Sequence, residues 1–230
     1  MLGQNFNDLS SYIDFLDKIG DLKRISTEVD PELEISEISS KTIEDNGPAL
    51  LFENVKGSSF PVATNLFGSE ERLRVSLGCN PKELGEEILS FAEKAMPPKL
   101  DNLFKSFPFI KRLTNFRSKE QAFNSPCQQI QDEITLEDLP IIKCWPEDGG
   151  KFITMGLTIT ESPISKKPNM GMYRLQMHDK ERLGMHWHPH KGGATHYHEA
   201  RQLGQDFPAA IVLGGDPSLI FAAIAPLPEN

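Results

Sequence analysis

The pattern of the chain changes once, across a stretch punctuated by prolines between residues 97 and 126, and that change limits the folds open to it. Before it, apolar residues recur at helical spacing. Leu9, Tyr12, Ile13 and Leu16 fall at i, i+3, i+4 and i+7, one face of an α-helix. Gly20 stops that helix, and residues 22–26 read as a short strand. Residues 31–45 read as a second helix with Leu33, Ile35 and Ile38 inward, broken by Gly47-Pro48. Residues 49–55 and 60–66 read as strands around a Lys56-Gly57 turn. Residues 69–77 and 81–95 read as helices, the second capped by Asn80 with Pro81 at its first position. After Cys127 the signals are those of strands. Residues 153–160 are rich in β-branched side chains, and residues 170–177 and 182–188 read as a hairpin turning at Asp179-Lys180-Glu181. A helix over 194–203, a buried strand over 209–213 and a last helix capped by Asp216 complete the pattern. The expected class is α+β. Residues 1–115 form a small N-terminal α/β domain and residues 120–230 a strand-rich second domain, joined by a basic connective stretch bearing Lys111, Arg112 and Arg117.

Bulk properties narrow the function. The net charge of −9 argues against nonspecific binding to nucleic acid, although a local basic pocket is still compatible with it. No apolar run approaches the ~18 residues of a membrane helix. The first residues show neither a basic nor an apolar leader segment. Cys79, Cys127 and Cys144 are odd in number and far apart, which fits a reducing, cytoplasmic setting. The apolar run 218–225 is followed only by Pro226-Leu-Pro-Glu-Asn230, so the chain is expected to be part of something longer.

All six histidines lie between His178 and His198. His186 and His188 alternate, so on a strand they share a face, while Pro189 frees His190 from that alternation. In a hairpin turning near Lys180, residue 174 pairs with 186 and residue 170 with 190, and the Asn169 amide then meets the His190 imidazole at the open end. An oxygen and nitrogen pair suits Mn²⁺ or Mg²⁺ better than a closed structural Zn²⁺ site. Lys191-Gly192-Gly193 ahead of a helix fits a phosphate cradle, though alone it is weak evidence. Arg174 offers a bidentate fork to a carboxylate, or an ordinary cross-strand ion pair. Two competing readings stay open on these residues: a solvated, His-rich hairpin end, and a cupin-like metal oxygenase, for which Glu199 is the nearest candidate carboxylate.

Six ordered stretches resemble the UbiD-type, prenylated-flavin-dependent decarboxylases: residues 47–54 (Gly-Pro-Ala-Leu-Leu-Phe-Glu-Asn), Asn65-Leu-Phe-Gly68, Pro126-Cys-Gln-Gln129, Cys144-Trp-Pro-Glu-Asp148, Asn169-x-Gly-x-Tyr-Arg174 and His190-x-Gly-Gly193. The resemblance runs along essentially the whole chain and is nearest to the branch acting on 4-hydroxy-3-polyprenylbenzoate. It implies a second domain that is part of a flavin-reductase-like split β-barrel. It implies Asn169 and His190 as metal ligands, for Mn²⁺ with K⁺ as a further candidate ion. Met172, Tyr173, Arg174, His186, Trp187, His188, Lys191 and Gly192 would contact prenylated FMN, with Arg174 also holding the substrate carboxylate. In relatives the position of His186 can be Arg, which makes that contact less cationic here. The resemblance further implies an aromatic or α,β-unsaturated acid substrate, a role in quinone biosynthesis, and a flavin prenyltransferase as cofactor supplier. A homo-oligomeric parent protein, peripheral to a membrane if its substrate is lipophilic, is implied as well. The family's acidic metal ligand and catalytic Glu pair match positions past Asn230, and Glu229 matches a different position. These residues alone are therefore expected to show little or no decarboxylation, and the alternative to an enzyme fragment is a truncated flavin- or metal-binding module without turnover.

Overall fold

The structure, a computed structural model, describes residues 6–95, 125–131 and 134–225. Two compact units are formed, one from Gly3–Gly78 with Thr135–Asn230 and the other from Cys79–Ile134. Most of the connective stretch expected between the two domains lies outside the described residues.

The first part of the larger unit is built on one buried strand. Helix α1 (Leu9–Lys18) starts at a reciprocal cap, with the Ser11 N–H donated to Asp8 Oδ1 at 2.7 Å. Its apolar stripe buries Tyr12 and Leu16 completely. Strand β1 (Leu22–Ile25) pairs in parallel with β2 (Ala49–Phe52), and β2 pairs antiparallel with β3 (Val62–Thr64). Parallel partners need a crossover, and α2 (Glu34–Glu44) supplies it. All four residues of β2 are buried. Ala49 packs with α1 and α3 (Glu70–Leu77), whereas Leu50 and Phe52 pack with Ile35 of α2, as the alternation of a strand requires. Leu33 departs from expectation. It stands ahead of α2 rather than on its inner face, at φ 71°, because its N–H is donated to the Lys143 carbonyl at 3.0 Å.

Among the described residues the smaller unit contains α4 (Pro81–Ala95), over the expected residues, and a 3₁₀ turn at Pro126–Gln128. The Asn80 side chain caps α4 by accepting the Lys82 N–H at 3.1 Å.

The second part of the larger unit holds two three-stranded sheets. One has the order β4 (Phe152–Ile153), β7 (Leu175–Met177), β8 (Leu183–Met185); the other has β6 (Pro168–Met172), β5 (Leu157–Glu161), β9 (Ala209–Val212). Two stretches expected as single strands are thus each divided between sheets. The first bends at residues 154–156 and the second at Tyr173-Arg174. Gly156 permits the first bend, since a methyl group there would stand 2.9 Å from Leu175 Cδ1. Bends where strands change sheet form the corners of orthogonally packed sheets. Strand β9 was expected to be buried, yet Ala209 and Ala210 are exposed, because β9 is an edge strand with β5 as its partner. Helix α5 (Gly192–Leu203) ends at Gly204 in the left-handed region. The last helix, α6 (Pro217–Ile224), is capped by Asp216, which accepts the Ser218 N–H at 2.7 Å. The chain is α+β, with its helices and small sheets in the expected order.

Candidate functional site

The corner between β6 and β7 and the start of α5 bring most of the expected residues together. Tyr173 is buried and folds back over Gly171, where a methyl group would stand 2.6 Å from its ring. Its hydroxyl accepts the Gly193 N–H at 3.1 Å, and its ring meets Trp187 edge-on with centroids 4.9 Å apart. Gly193 has no room for a side chain, since a methyl there would lie 2.5 Å from Trp187 Cζ3. Tyr173 therefore holds the first turn of α5 rather than lying open on the surface.

Arg174, the next residue, is exposed, and its guanidinium lies 4.3 Å above the Phe152 ring. Among the described residues no carboxylate pairs with it, so its fork is available to an external anion. The Arg174 carbonyl accepts the His186 N–H at 3.1 Å, extending the β7–β8 ladder in the register expected from the sequence. The expected pairing of 170 with 190 is not made. Met170 pairs with Ile159 in the other sheet.

Asn169 reaches the start of α5 by another route. It lies beside Thr160 on β5, and its amide abuts Gly192, where a methyl group would stand 2.5 Å from Oδ1 and 3.0 Å from Cγ. Gly192 is two residues after His190, so the Asn169 amide abuts the turn that carries His190, Lys191 and Gly192. The Asn169 Nδ2 is buried without a partner. Orphaned buried amides are uncommon, and a bound group is one thing that satisfies them. Oxygen and nitrogen of an Asn amide are exchanged by a flip, so the same position can present Oδ1 to a cation. The donor types of Asn169 and His190 fit a divalent ion of the Mn²⁺ or Mg²⁺ kind. Among the described residues no cluster of three His, Cys, Asp or Glu could hold a metal, so further oxygens would have to complete the shell.

The helix start is a narrower anion site than Lys191-Gly192-Gly193 suggested. The Gly193 N–H goes to Tyr173, and the Ala194 and Thr195 N–H groups go to the Lys191 carbonyl at 2.9 and 3.2 Å. Gly192 and the exposed Lys191 are left to face a ligand. His186 and His188 are both exposed, with rings 5.2 Å apart, while Trp187 points the other way into a group of rings with Tyr173, Tyr197 and Phe207. Met172 is half-buried at the end of β6, opposite Leu157. Glu199 accepts the Ser162 hydroxyl at 2.6 Å, which occupies the carboxylate that a cupin-like reading needed. Sequence reasoning missed Phe152 beneath Arg174, and also the buried Thr158 and Thr160 of β5 and Ser162 just beyond its end. That period-two run of hydroxyls was the available signal.

Comparison with known proteins gives the family. Residues 13–92 match the family described as the 3-octaprenyl-4-hydroxybenzoate carboxy-lyase N-terminal domain, and residues 118–230 its Rift-related domain. The chain is similar to the UbiD-class enzyme HmfF from Pelotomaculum thermopropionicum in complex with FMN, at 26% identity and a TM-score of 0.76, over 96% of this chain and 45% of that one. An evolved dimeric form of the same enzyme in complex with prFMN matches at 26% identity and 0.75, over 95% and 47%. Vanillic acid decarboxylase of Sedimentibacter hydroxybenzoicus, in its closed form, matches at 25% identity and 0.78, over 98% and 46%. The chain spans under half the length of each of these solved structures. With both family domains matched in order, over residues 13–92 and 118–230, the chain belongs to the UbiD family of carboxy-lyases.

Proposed function

We propose that this chain carries the flavin- and metal-facing part of a decarboxylase that uses prenylated FMN and Mn²⁺. Its substrate in this reading is an aromatic acid of the 4-hydroxy-3-polyprenylbenzoate type, or an α,β-unsaturated acid, and its setting is quinone biosynthesis in the cytoplasm. A prenyltransferase would supply the cofactor, K⁺ is a candidate second ion, and self-association of the whole protein is expected. The observation that carries the proposal is the orphaned amide of Asn169 set against Gly192, one corner away from an Arg174 with which no carboxylate among the described residues pairs.

Loss of CO₂ from an sp² carbon leaves a carbanion, and prenylated FMN, when bound, supplies the electron sink for it. The protein's residues bind and orient. Asn169 and His190 would hold the metal, and Lys191 with the Gly192 N–H would meet the cofactor phosphate. Arg174 would take the substrate carboxylate in its fork, with the guanidinium plane set by Phe152. His186 and His188 line the exposed side of the same turn. No described carboxyl group pairs with Arg174, and general acid catalysis is typically worth about 10²–10⁴-fold. Turnover by these 230 residues alone is therefore expected to be low.

The test is direct. Titration of the chain with FMN and Mn²⁺, followed by flavin fluorescence and manganese electron paramagnetic resonance, should show binding that Asn169→Ala and His190→Ala each weaken at least about tenfold, the size of one lost ligand contact. Equal binding by the wild type and both variants, or none by any, would overturn the reading.

A further inference from the structure

Three hydrogen bonds tie α5 to β5, to the residue that follows it and to the corner between β6 and β7. The Gly193 N–H is donated to the Tyr173 hydroxyl at 3.1 Å. His196 Nδ1 and the Thr160 hydroxyl share a hydrogen bond of 3.1 Å. The Ser162 hydroxyl is donated to Glu199 at 2.6 Å. His196 and Glu199 are three apart, hence neighbours on the helix surface one turn beyond Gly193, and Ser162 follows the end of β5, two residues on from Thr160. Thr160, Ser162 and His196 are 3%, 1% and 9% exposed, so these are interior bonds. Thr160 is also the cross-strand neighbour of Asn169.

A helix packed on a sheet by apolar contact alone has little to fix its register, because such contact is not directional. Hydrogen bonds are directional and weaken steeply off their geometry. A shift of α5 by one residue moves each group about 1.5 Å along the axis and roughly 100° around it. All three bonds would break, and Gly192 would leave the Asn169 amide. We propose that Thr160, Ser162, His196 and Glu199 are positioning residues. They form a polar ladder that sets the register of α5 on the sheet and so holds Gly192 and Lys191 at the Asn169 amide, where the metal and the cofactor phosphate are read to bind. The ligand half of this inference rests on the function proposed above; the ladder itself does not.

The experiment separates the two. In the full chain, Thr160→Val removes the central hydroxyl with little change of shape, and Thr160→Ser restores it. Amide hydrogen exchange over Gly193–His196 should speed up about tenfold in Thr160→Val, the effect of one net hydrogen bond, and return in Thr160→Ser, while β8 in the other sheet keeps its protection. Mn²⁺ affinity should fall about five- to tenfold in the same variant and recover with Ser. If Thr160→Val does not fold, Ser162→Ala, at the outer rung, is measured in the same way. Unchanged exchange at the start of α5 overturns the ladder. Faster exchange with unchanged Mn²⁺ affinity overturns its positioning role. Absence of Mn²⁺ and FMN binding in the wild type sinks the proposed function, while the exchange data still decide whether the ladder exists.

Discussion

Single atoms decide how close the start of α5 comes to β6. Gly192 has space for hydrogen only, since a methyl group would press on the Asn169 amide at 2.5 Å from Oδ1. Gly192→Ala is expected to cost about 1–3 kcal/mol by overpacking and to lose Mn²⁺ binding. Urea denaturation and metal titration check the two effects separately. Tyr173→Phe leaves the edge-on contact with Trp187 but strands the buried Gly193 N–H. An unsatisfied buried donor costs about 1–3 kcal/mol, and urea denaturation should find a loss in that range. Phe152 acts on Arg174 through its ring face. Phe152→Leu keeps an apolar side chain but loses a contact worth about 0.5–1 kcal/mol at an exposed site. Binding of 4-hydroxybenzoate, followed calorimetrically, should weaken severalfold, and Phe152→Tyr should retain it.

Elements in this molecule begin where their caps are. Asn80 and Asp216, the two caps read from the sequence, each accept a backbone N–H at the first turn of a helix, and the structure adds Asp8 and Ser69 in the same role. The first two were readable because capping is local chemistry. Asp216→Ala should lower stability by about 1 kcal/mol, measured by thermal unfolding. The strands were less readable. Residues 153–160 and 170–177 carry the composition of continuous strands, yet each divides between two sheets. The bend at Gly156 lets Leu175 and Ile211 come close, and the bend at Tyr173 folds its ring over Gly171. Leu175 and Ile211 are far from Gly156 in sequence, and Tyr173 is held by Gly193, twenty residues on, so periodicity could not reveal either bend. The edge position of β9 is of the same kind, because an apolar run does not say how many partners a strand has.

At the scale of the whole larger unit, its two parts meet through contacts far apart in the chain. Glu32 bridges Lys143, and the Phe67 ring packs edge-on against Phe221 with centroids 4.9 Å apart. Tyr12 lies in the core of the first part, its hydroxyl donating to the Leu66 carbonyl at 2.8 Å. Burial pushes its phenol above the ordinary value, Asp21 adds to this and Arg72 opposes it. A group whose pKa is raised by folding contributes stability that is full below its unfolded pKa and is lost as pH rises toward the folded one. The loss should therefore begin near pH ~10, the ordinary phenol value. Tyr12→Phe lacks this group, so its deficit relative to the wild type in urea denaturation should be smaller at pH 11 than at pH 8. A constant deficit would contradict the assignment.

The sequence by itself determined the class and order of the elements, the helix starts at Asn80 and Asp216, and the register of the β7–β8 hairpin. It also determined the family, because these follow from neighbours within a few residues or from motifs read in line. Tertiary structure alone decided how Asn169 meets Gly192. That approach comes from a helix laid across a sheet, not from the hairpin extension that put residue 190 opposite residue 170. It also decided that Tyr173 spends its hydroxyl on Gly193, and that Trp187 turns into a group of rings. The physical reason is that hydrophobic pattern says which face is buried, whereas directional bonds between distant residues say against what it is buried, and at which register.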